Sequence, residues 1–474
     1  MTKIHTHITA LKKLAGNKGW SDDPDVLAPH LVEWRDRYVG KTPLLLLPDS
    51  TERVAALVRY CQDHNLKLVP QGGNTGLVGG GIPDDTGTEF LISTKKLTRI
   101  RDKDAFNHTL TVEAGVVLSD VQALAEEMGL LFPLSLASEG SCQIGGNIST
   151  NAGGVAVLRY GTMRDLVLGL EVVLPDGRIW NGLSGLRKDN TGYDLKQLFI
   201  GAEGTLGLIT AATLKLYPNP KEKQTALLAV PSPAHAVKLF SFARDFSGDT
   251  ITAFEIIPRI GLEFLFRHMP GHQDPMDQPY DWYILLECAS SLSRDLLNLE
   301  KLFEKLLEKT FEKGLVLDGV IAKNEKERTA LWALRENLSE VQKFEGGSIK
   351  HDIAVPVSRI PEFLDMATAA VTAVIPGIRP VPFGHIGDGN IHFNLTQPEG
   401  ADKAAYLARW EEINKIVHDI VYDLGGSISA EHGIGRLKVD ELPRYKSPVA
   451  LDLMQHLKRA IDPKNIMNPG RILK

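Results

Sequence analysis

The chain has 474 residues, which is more than one hydrophobic core usually organises, so its length predicts two domains with room for a large cofactor. Its formal net charge of −6 gives no basic surface for nucleic acid or an anionic membrane, which argues against both partners. Cys61, Cys142 and Cys288 form no CxxC pair, and their odd number favours a reducing compartment over a disulfide framework. The N-terminus lacks the apolar stretch of a secretory signal, and no later run approaches the ~18 apolar residues that span a bilayer, so we expect a cytoplasmic protein without a transmembrane segment.

The first half of the chain predicts a mixed α/β domain. Residues 1–40 have the pattern of a helical lead-in, and the domain itself is predicted over residues 41–220. The strand PLLLLP is followed by a helix that begins near Ser50, where apolar residues recur with helical period. From there to Tyr217, short β-rich segments alternate with helices such as residues 118–129, and most of the glycine lies in this half.

The second half has a different pattern. Residues 217–224, YPNPKEKQ, are proline-rich and charged, as linkers are. Beyond them, three long helical patterns at residues 293–313, 324–344 and 401–425 alternate with strands such as WYILLECA. This alternation predicts a second, α+β domain over residues 221–425.

Two glycine-rich loops mark the first domain. Residues 69–83 read VPQGGNTGLVGGGIP and residues 138–154 read SEGSCQIGGNISTNAGG. Glycine at this density lets backbone N–H groups turn toward a bound anion. Neither loop is a Walker A loop or a Rossmann fingerprint. Each could be a set of turns, but two such loops in one domain suit a ligand with an extended diphosphate.

A histidine pair marks the second domain. In FGHIGDGNIHFN, residues 383–394, the Asp388-Gly389 pair predicts a tight hairpin that places His385 directly opposite His392. Opposed residues have Cβ atoms about 5 Å apart, close enough for two imidazoles to share one metal ion. Asn394 would point to the same side as His392. A hydrogen-bonded structural pair remains the alternative interpretation.

Two further polar groups lie elsewhere in the chain. Glu431 and His432 are adjacent in SAEHGIG, and His-His-Glu is a recognised ligand set for a divalent ion that keeps a position open for substrate. Arg335 and Ser339 are four residues apart on a predicted helix and so share a face, and Lys350 follows in the next strand. From the residues alone, a solvated loop and a solvated helix face remain open.

Taken together, the glycine loops resemble the FAD-binding domain of the vanillyl-alcohol oxidase and p-cresol methylhydroxylase superfamily. The later stretches GHIGDGNIHFN, SAEHGIGRLK and IDPKNIMNPGRIL are similar to its D-2-hydroxyacid dehydrogenase branch. The resemblance implies a two-domain α+β flavoprotein, with a mixed α/β FAD-binding domain of the vanillyl-alcohol oxidase type and an α+β substrate or cap domain. It also implies that residues 426–474 return to the flavin site.

The resemblance further implies a dehydrogenase that uses FAD and a metal to oxidise a D-2-hydroxy dicarboxylic acid such as D-2-hydroxyglutarate. Oxidation of D-lactate is the alternative activity, and a non-catalytic flavin- or metal-binding protein is the alternative of another class. Members that tether FAD often carry His where this chain has Asn74, so a non-covalent flavin is expected. The implied FAD-binding residues are Pro70, Gln71, Gly72, Gly73, Asn74, Thr75, Gly76, Ser138, Gly140, Ser141, Gly145, Gly146, Asn147, Gly204 and Ile209.

In that branch the metal ligands fall on His385, His392 and Glu431, and the proton acceptor, which also binds substrate, falls on His432. Oxidising a 2-hydroxy acid removes a hydride from C2 and a proton from the hydroxyl. A nearby cation makes that proton easier to lose, and a histidine that titrates near neutrality can accept it. Asn394 would help to orient the substrate carboxylate. The nitrogen-rich ligand set favours zinc over magnesium.

The branch holds the distal substrate carboxylate with residues that match Arg335, Ser339 and Lys350, although Ser339 stands where Thr is expected. Without a Rossmann signature, the reduced flavin is expected to pass electrons to an electron-transfer flavoprotein or a quinone rather than to NAD. A homodimer is expected.

Overall fold

The computed structural model describes residues 3–474, so the first two residues of the predicted lead-in lie outside it. The chain forms two compact units. The first contains residues up to Gly154, Tyr160–Asn219 and Glu431–Lys474, and the second contains Val155–Arg159 and Pro220–Ala430.

The helices, in chain order, are α1 (Lys3–Ala15), α2 (Pro24–Leu31), α3 (Thr51–His64), α4 (Leu118–Glu127), α5 (Ile144–Ser149), α6 (Val157–Tyr160), α7 (Met163–Leu166), α8 (Lys196–Phe199), α9 (Pro233–Ser247), α10 (Arg259–His268), α11 (Leu299–Glu312), α12 (Glu325–Glu336), α13 (Leu338–Val341), α14 (Ile360–Val374), α15 (Lys403–Leu407), α16 (Trp410–Asp423), α17 (Leu442–Tyr445) and α18 (Pro448–Ile461).

The strands, in chain order, are β1 (Trp20–Ser21), β2 (Leu45–Leu46), β3 (Leu68–Gln71), β4 (Phe90–Ser93), β5 (Ile100–Asp104), β6 (Thr109–Glu113), β7 (Leu130–Leu131), β8 (Val167–Val173), β9 (Ile179–Gly182), β10 (Leu208–Lys215), β11 (Tyr217–Pro218), β12 (Glu222–Val230), β13 (Ile251–Pro258), β14 (Trp282–Ser290), β15 (Asp318–Ile321), β16 (Ser348–Ile349), β17 (Asp352–Ala354), β18 (Arg379–Phe383) and β19 (Asn390–Thr396).

The first unit contains a small mixed sheet in the order β1-β2-β4-β3, in which β2 and β3 run parallel to β4. Helix α3 makes the crossover between β2 and β3. It begins where the Ser50 side chain accepts a hydrogen bond from the Arg53 N–H, and it ends at Asn65, whose φ of 54° is left-handed. Its apolar face is buried, as the helical period in the sequence predicts.

The first unit also contains a five-stranded antiparallel sheet in the order β5-β6-β10-β8-β9. The C-terminal segment is part of the same unit. The Leu68 N–H donates to the Ile466 carbonyl, and Ile466 and Met467 are buried in the core beside β3 and β4. A buried ion pair of 2.9 Å joins Arg471 to Glu89.

The second unit is built on an antiparallel sheet in the order β13-β14-β12-β15. Alternation along β12 supplies both faces of this sheet. Ala226 and Leu228 join a core with residues of α9, α11, α14 and α16, whereas Leu227 and Ala229 join a core with residues of α10 and α12. A smaller sheet is centred on β19, with β18 on one side and β16 and β17 on the other.

The helix predicted over residues 324–344 is interrupted. Helix α12 ends at Glu336, α13 begins at Leu338, and a short 3-10 turn follows at Gln342–Glu345. The amide of Asn337 donates to the Ala333 carbonyl, a local bond of the kind with which asparagine competes with regular helix.

The three cysteines are free and buried. Of the helices within residues 3–474, none is both long and apolar enough to cross a bilayer.

Candidate active site

The two glycine-rich loops of the first unit pack against each other. A Cβ on Gly73 would lie 2.1 Å from the Ser141 carbonyl oxygen, and one on Gly72 would lie 3.5 Å from the backbone of Gly146. Only glycine permits the approach at Gly73, whereas the distance at Gly72 is an ordinary van der Waals contact. The structure therefore brings together residues 70–76 and 138–147, the two FAD segments that the resemblance implies.

The first of these loops leaves a row of donors exposed. Among the described residues of the first unit, no acceptor bonds to the backbone N–H groups of residues 72–76. A Cβ on Gly76, Gly140 or Gly146 would meet nothing within 4 Å, so the backbone there borders open space. Consecutive unpaired N–H groups beside an open cradle are what a pyrophosphate needs, and these residues fit the phosphates of FAD.

Side chains near this loop hold its shape. Gln71 donates to the carbonyls of His30 and Gly81, each at 2.9 Å. Asn74 has a left-handed φ of 55°, and its amide donates to the Pro29 and Val32 carbonyls at 3.0 Å. The polar side chains at the start of the loop thus anchor it.

The remaining implied FAD residues of the first unit have varied environments. Gly204 has a φ of 72°, and a Cβ there would lie 3.0 Å from the Pro70 ring. The side chain of Ile209, in β10, is buried in the core of the five-stranded sheet. Asn147 is buried within α5, and its amide lies 3.5 Å from the Cys142 sulfur.

Glu203 is a residue of the first unit that sequence reasoning missed. Its buried carboxylate accepts the backbone N–H groups of Ile434 and Gly435, each at 2.7 Å. Burial raises the pKa of this carboxyl above its usual value, although the two backbone donors and Lys438 oppose the shift. The signal was the AEG turn, in which Glu203 itself adopts a left-handed φ of 50°.

The bonds of Glu203 fix the loop that follows Glu431 and His432. Glu431 is held as well, because one of its carboxylate oxygens accepts the Gly154 N–H at 2.7 Å.

The predicted hairpin of the second unit is wrong in register. Phe383, not His385, lies opposite His392, and the turn between β18 and β19 spans residues 384–389 instead of two. The chain leaves the ladder because Gly384 exchanges two backbone hydrogen bonds with Ile256 of β13. The histidines still meet, with ring centroids 5.9 Å apart and one nitrogen of each ring within 4.8 Å of the other.

Glu255, a second residue that sequence reasoning missed, lies at the centre of this cluster. Its side chain is fully buried in β13, and its two oxygens bind His385 Nδ1 at 2.7 Å and Arg335 Nε at 2.9 Å. Burial alone would raise its pKa, but the charges of His385 and Arg335 overcome burial and hold the pKa of Glu255 below its usual value. The signal was an acid within the apolar run ITAFEIIP.

Arg335 itself is buried, which overturns the interpretation of a solvated helix face. Its guanidinium lies 4.8 Å from the centroid of the Phe383 ring. Within the described part of the second unit, neither terminal amino group of Arg335 has a hydrogen-bond acceptor. The edge of a buried cation is thus available to a ligand.

Ser339 and Lys350 are the other residues predicted to bind the distal substrate carboxylate. Ser339 does not share a helix with Arg335, because the break at Asn337 intervenes, and its side chain is exposed. The Lys350 ammonium donates to the Ser339 backbone carbonyl at 3.0 Å. The expectation that Arg335 and Ser339 occupy one helical face is therefore wrong.

His392 has its own acidic neighbour. Its Nδ1 lies 3.9 Å from the buried carboxylate of Asp352, which also accepts the Asn390 amide at 3.0 Å. Asn394 is buried two residues along β19, on the same face of the strand as His392.

The end of the second unit brings the chain to this cluster. The Ala430 N–H donates to the Asp352 carbonyl at 3.2 Å, and Asp352 is the ladder partner of His392.

Comparisons with known proteins agree with these observations. A family model described as "FAD binding domain" matches residues 42–182, and one described as "FAD linked oxidases, C-terminal domain" matches residues 219–472. The chain is 40% identical over 451 residues to a mitochondrial D-2-hydroxyglutarate dehydrogenase of Bos taurus, covering 95% of this chain and 80% of that one. It is 36% identical over 466 residues to the mitochondrial D-2-hydroxyglutarate dehydrogenase of Arabidopsis thaliana, covering 98% and 81%.

These relatives correct one expectation. Both are named as mitochondrial proteins, which contradicts the cytoplasmic localisation that we inferred from the N-terminus and the cysteines.

Two solved structures share the fold. One is an alkyldihydroxyacetonephosphate synthase, with a TM-score of 0.75 at 18% identity, covering 98% of this chain and 86% of that one. The other is p-cresol methylhydroxylase, with a TM-score of 0.78 at 17% identity, covering 100% and 97%. They confirm the predicted two-domain α+β fold, and the family model over residues 42–182 confirms the predicted FAD-binding domain.

Proposed function

This chain belongs to the FAD-linked D-2-hydroxyacid dehydrogenases, and from that premise we propose that it oxidises D-2-hydroxyglutarate to 2-oxoglutarate. The observation that carries the choice of substrate is the buried guanidinium of Arg335, whose terminal amino groups have no acceptor in the described part of its unit. An arginine edge of this kind binds a carboxylate through two parallel hydrogen bonds. A 2-hydroxy dicarboxylate supplies that second carboxylate, and D-lactate does not.

A divalent ion, held by His385, His392 and Glu431, is the second part of the proposal. Two observations support the fit. One nitrogen of the His385 ring lies within 4.8 Å of one nitrogen of the His392 ring, and Glu255 binds Nδ1 of His385, which orients that ring. The nitrogen-rich donor set suits zinc. Such an ion supplies positive charge that makes the substrate hydroxyl more acidic.

His432 is the proposed base. An imidazole titrates near neutrality and can accept the hydroxyl proton as C2 loses its hydride. The bonds from Glu203 to Ile434 and Gly435 fix the backbone just after His432, which limits the motion of the ring. Asn394 offers an amide donor to the substrate carboxylate from the same face of β19 as His392.

FAD supplies the hydride acceptor when it is bound to the first unit. We propose that it is held without a covalent bond, because Asn74 stands where a tethering histidine is often found and its amide already bonds two backbone carbonyls. The backbone N–H groups of residues 72–76 would bind the pyrophosphate.

D-lactate is the second candidate substrate, and one observation favours it. The side chain of Ser339 is exposed, so its hydroxyl is not part of the buried cluster that contains Arg335. If Arg335 does not bind a distal carboxylate, the pocket would accept a monocarboxylate.

The deciding experiment is dye-linked oxidation of D-2-hydroxyglutarate and D-lactate, with and without prolonged chelation. We expect kcat/KM to favour the dicarboxylate by about 10³, because a ligand without the second carboxylate leaves a buried cation unpaired. Chelation should abolish turnover and leave FAD bound. Preference for D-lactate would establish the second candidate, and full activity in a metal-free preparation would remove the metal from the proposal.

The electron acceptor is proposed to be an electron-transfer flavoprotein or a quinone, because the chain has no Rossmann fingerprint for NAD. Incubation of the enzyme with substrate and NAD should produce no NADH absorbance, and its robust appearance would contradict this part of the proposal.

A further inference from the structure

Glu255 connects two side chains to which the proposed function gives different tasks. His385 belongs to the proposed metal site, and Arg335 to the proposed clamp for the distal carboxylate. Each oxygen of the Glu255 carboxylate binds one of them, at 2.7 Å and 2.9 Å. No other described residue of the second unit makes a side-chain hydrogen bond to both.

The strand that carries Glu255 fixes His385 at two levels. At the level of the backbone, Gly384 exchanges hydrogen bonds of 2.9 Å and 3.2 Å with Ile256. At the level of the side chain, Glu255 holds Nδ1 of the neighbouring His385. A carboxylate on one ring nitrogen fixes the tautomer and the ring plane, and it raises the basicity of the nitrogen that faces a metal.

The same carboxylate fixes Arg335. With Nε bonded to Glu255 and the guanidinium against the Phe383 ring, the planar group is restrained both along its edge and across its face. The two terminal amino groups are left to face a ligand. Arginine pre-organised in this way loses less conformational entropy when it binds a carboxylate.

We propose that Glu255 is a positioning residue that aligns His385 for the metal and Arg335 for the distal carboxylate, so that one acid sets the geometry at both ends of the substrate. This inference rests on the proposed function, from which the two tasks are taken. It predicts that loss of Glu255 damages metal binding and dicarboxylate preference together, although Glu255 touches neither ligand.

A purely structural role would give a different result. In that case Glu255 would only balance two buried cationic groups, and its loss would lower stability without a selective effect on ligands. Glu287 provides a matched control, because it is a buried acid on the neighbouring strand β14 and it pairs with Arg328 at 3.3 Å and with Trp332 Nε1 at 2.9 Å. Glu287→Gln therefore measures the general cost of changing a buried glutamate in this sheet.

The test compares wild type, Glu255→Gln, Glu255→Asp and Glu287→Gln, each as the full chain loaded with FAD. Zinc affinity is measured by competition with a chromogenic chelator, and kcat and KM are measured for D-2-hydroxyglutarate and D-lactate at low and at saturating zinc. We expect Glu255→Gln to weaken zinc binding 10- to 100-fold, the usual effect of removing a carboxylate behind a metal-binding histidine. We expect its KM for D-2-hydroxyglutarate to rise at least tenfold and its KM for D-lactate to change less than threefold, since an amide cannot accept from both donors.

Saturating zinc separates the two effects. It should restore kcat for D-lactate in Glu255→Gln and leave the dicarboxylate preference reduced. Glu255→Asp keeps the charge but is one methylene shorter, so it should show a smaller version of both defects, and it decides the question if Glu255→Gln does not fold. Glu287→Gln should keep wild-type zinc affinity and substrate preference.

Two results overturn the inference in distinguishable ways. If wild type binds no zinc or prefers D-lactate, the proposed function is wrong, and this inference, which depends on it, is wrong as well. If wild type behaves as proposed, and the Glu255 variants keep its zinc affinity and its substrate preference as Glu287→Gln does, then Glu255 has only a structural role.

Discussion

The two units each bury one glutamate at a point of functional interest, and the two acids are stabilised in opposite ways. Glu203 in the first unit is surrounded by backbone donors, the N–H groups of Ile434 and Gly435, and its pKa is raised. Glu255 in the second unit is paired with the side chains of His385 and Arg335, and its pKa is lowered. The two backbone donors do not offset the effect of burial on the pKa of Glu203, whereas the interactions with His385 and Arg335 offset the effect of burial on the pKa of Glu255.

The two sets of hydrogen-bond partners correspond to two different structural roles. An acid that accepts hydrogen bonds from backbone N–H groups fixes the conformation of a loop, because a backbone donor cannot rotate independently of the chain. An acid that binds long side chains fixes functional groups in place and leaves their other atoms to ligands. We therefore expect changes around Glu255 to alter ligand binding and changes around Glu203 to alter stability.

The largest effect should come from His385→Ala, which removes a proposed metal ligand and one partner of Glu255 at once. We expect turnover to be abolished and zinc to be lost while FAD stays bound. Zinc content by mass spectrometry and flavin absorbance after gel filtration measure both. His235→Ala is the control, because the ring of His235 bonds the Ser232 hydroxyl instead, and loss of zinc from that variant would show that the effect is not local.

Arg335→Met should have the next largest effect. It removes the other partner of Glu255, and we expect kcat/KM for D-2-hydroxyglutarate to fall about 10³-fold while that for D-lactate falls only a fewfold. The control is Arg328→Met on the same helix α12, because Arg328 pairs with Glu287 and Glu325. Equal losses for both substrates would contradict a clamp for the second carboxylate.

His432→Ala should reduce turnover by about 10² to 10⁴, the usual contribution of a general base, with zinc and FAD retained. Rapid-mixing measurements of flavin reduction isolate the affected step. An unchanged reduction rate would remove His432 from its proposed role, and the loop that Glu203 fixes would then serve another purpose.

Glu203→Gln should have a smaller effect that depends on pH. The folded-state pKa of Glu203 lies above its unfolded value, so its contribution to stability is fully present below the unfolded pKa and is lost as pH rises through the folded-state pKa. Glutamine has no such loss. At acidic pH the variant should be less stable by about 1 to 3 kcal/mol, because its amide presents N–H where an acceptor is needed.

As pH rises from about 4 to about 8, the stability deficit of Glu203→Gln should therefore shrink. Thermal unfolding of wild type and variant across this range measures it. Lys438 is the charged neighbour that could mask the trend, and Lys438→Met should leave the direction of the change in place. A deficit that grows with pH would show that Glu203 is stabilised as an anion after all.

The smallest effect should come from Ser339→Ala. Because the side chain is exposed, we expect stability and kcat/KM for D-2-hydroxyglutarate to change by less than about 0.5 kcal/mol. A loss of about 1 kcal/mol in kcat/KM, confined to the dicarboxylate, would support the hydroxyl ligand that the resemblance implies.

Local patterns predicted much of this molecule. Helix α3 was predictable because its cap and its apolar period lie within one continuous segment, and the glycine loops were predictable from glycine density alone. The strand register at His385 was not predictable. Gly384 forms backbone hydrogen bonds with Ile256, which is remote in the sequence, instead of continuing the ladder with β19. The roles of Glu203 and Glu255 were not predictable for the same reason. The sequence around a buried acid does not indicate a hydrogen-bond partner that is remote in the chain.

The position of the C-terminal segment has a consequence for synthesis on the ribosome. The second unit is continuous from Pro220 to Ala430 except for the short piece Val155–Arg159, and its main sheet can pair as it emerges. The first unit is completed only when Met467 and Arg471 have been made, because Met467 pairs with Leu68 and Arg471 pairs with the buried Glu89. The unit whose residues are translated first therefore gains its last buried contacts when translation ends.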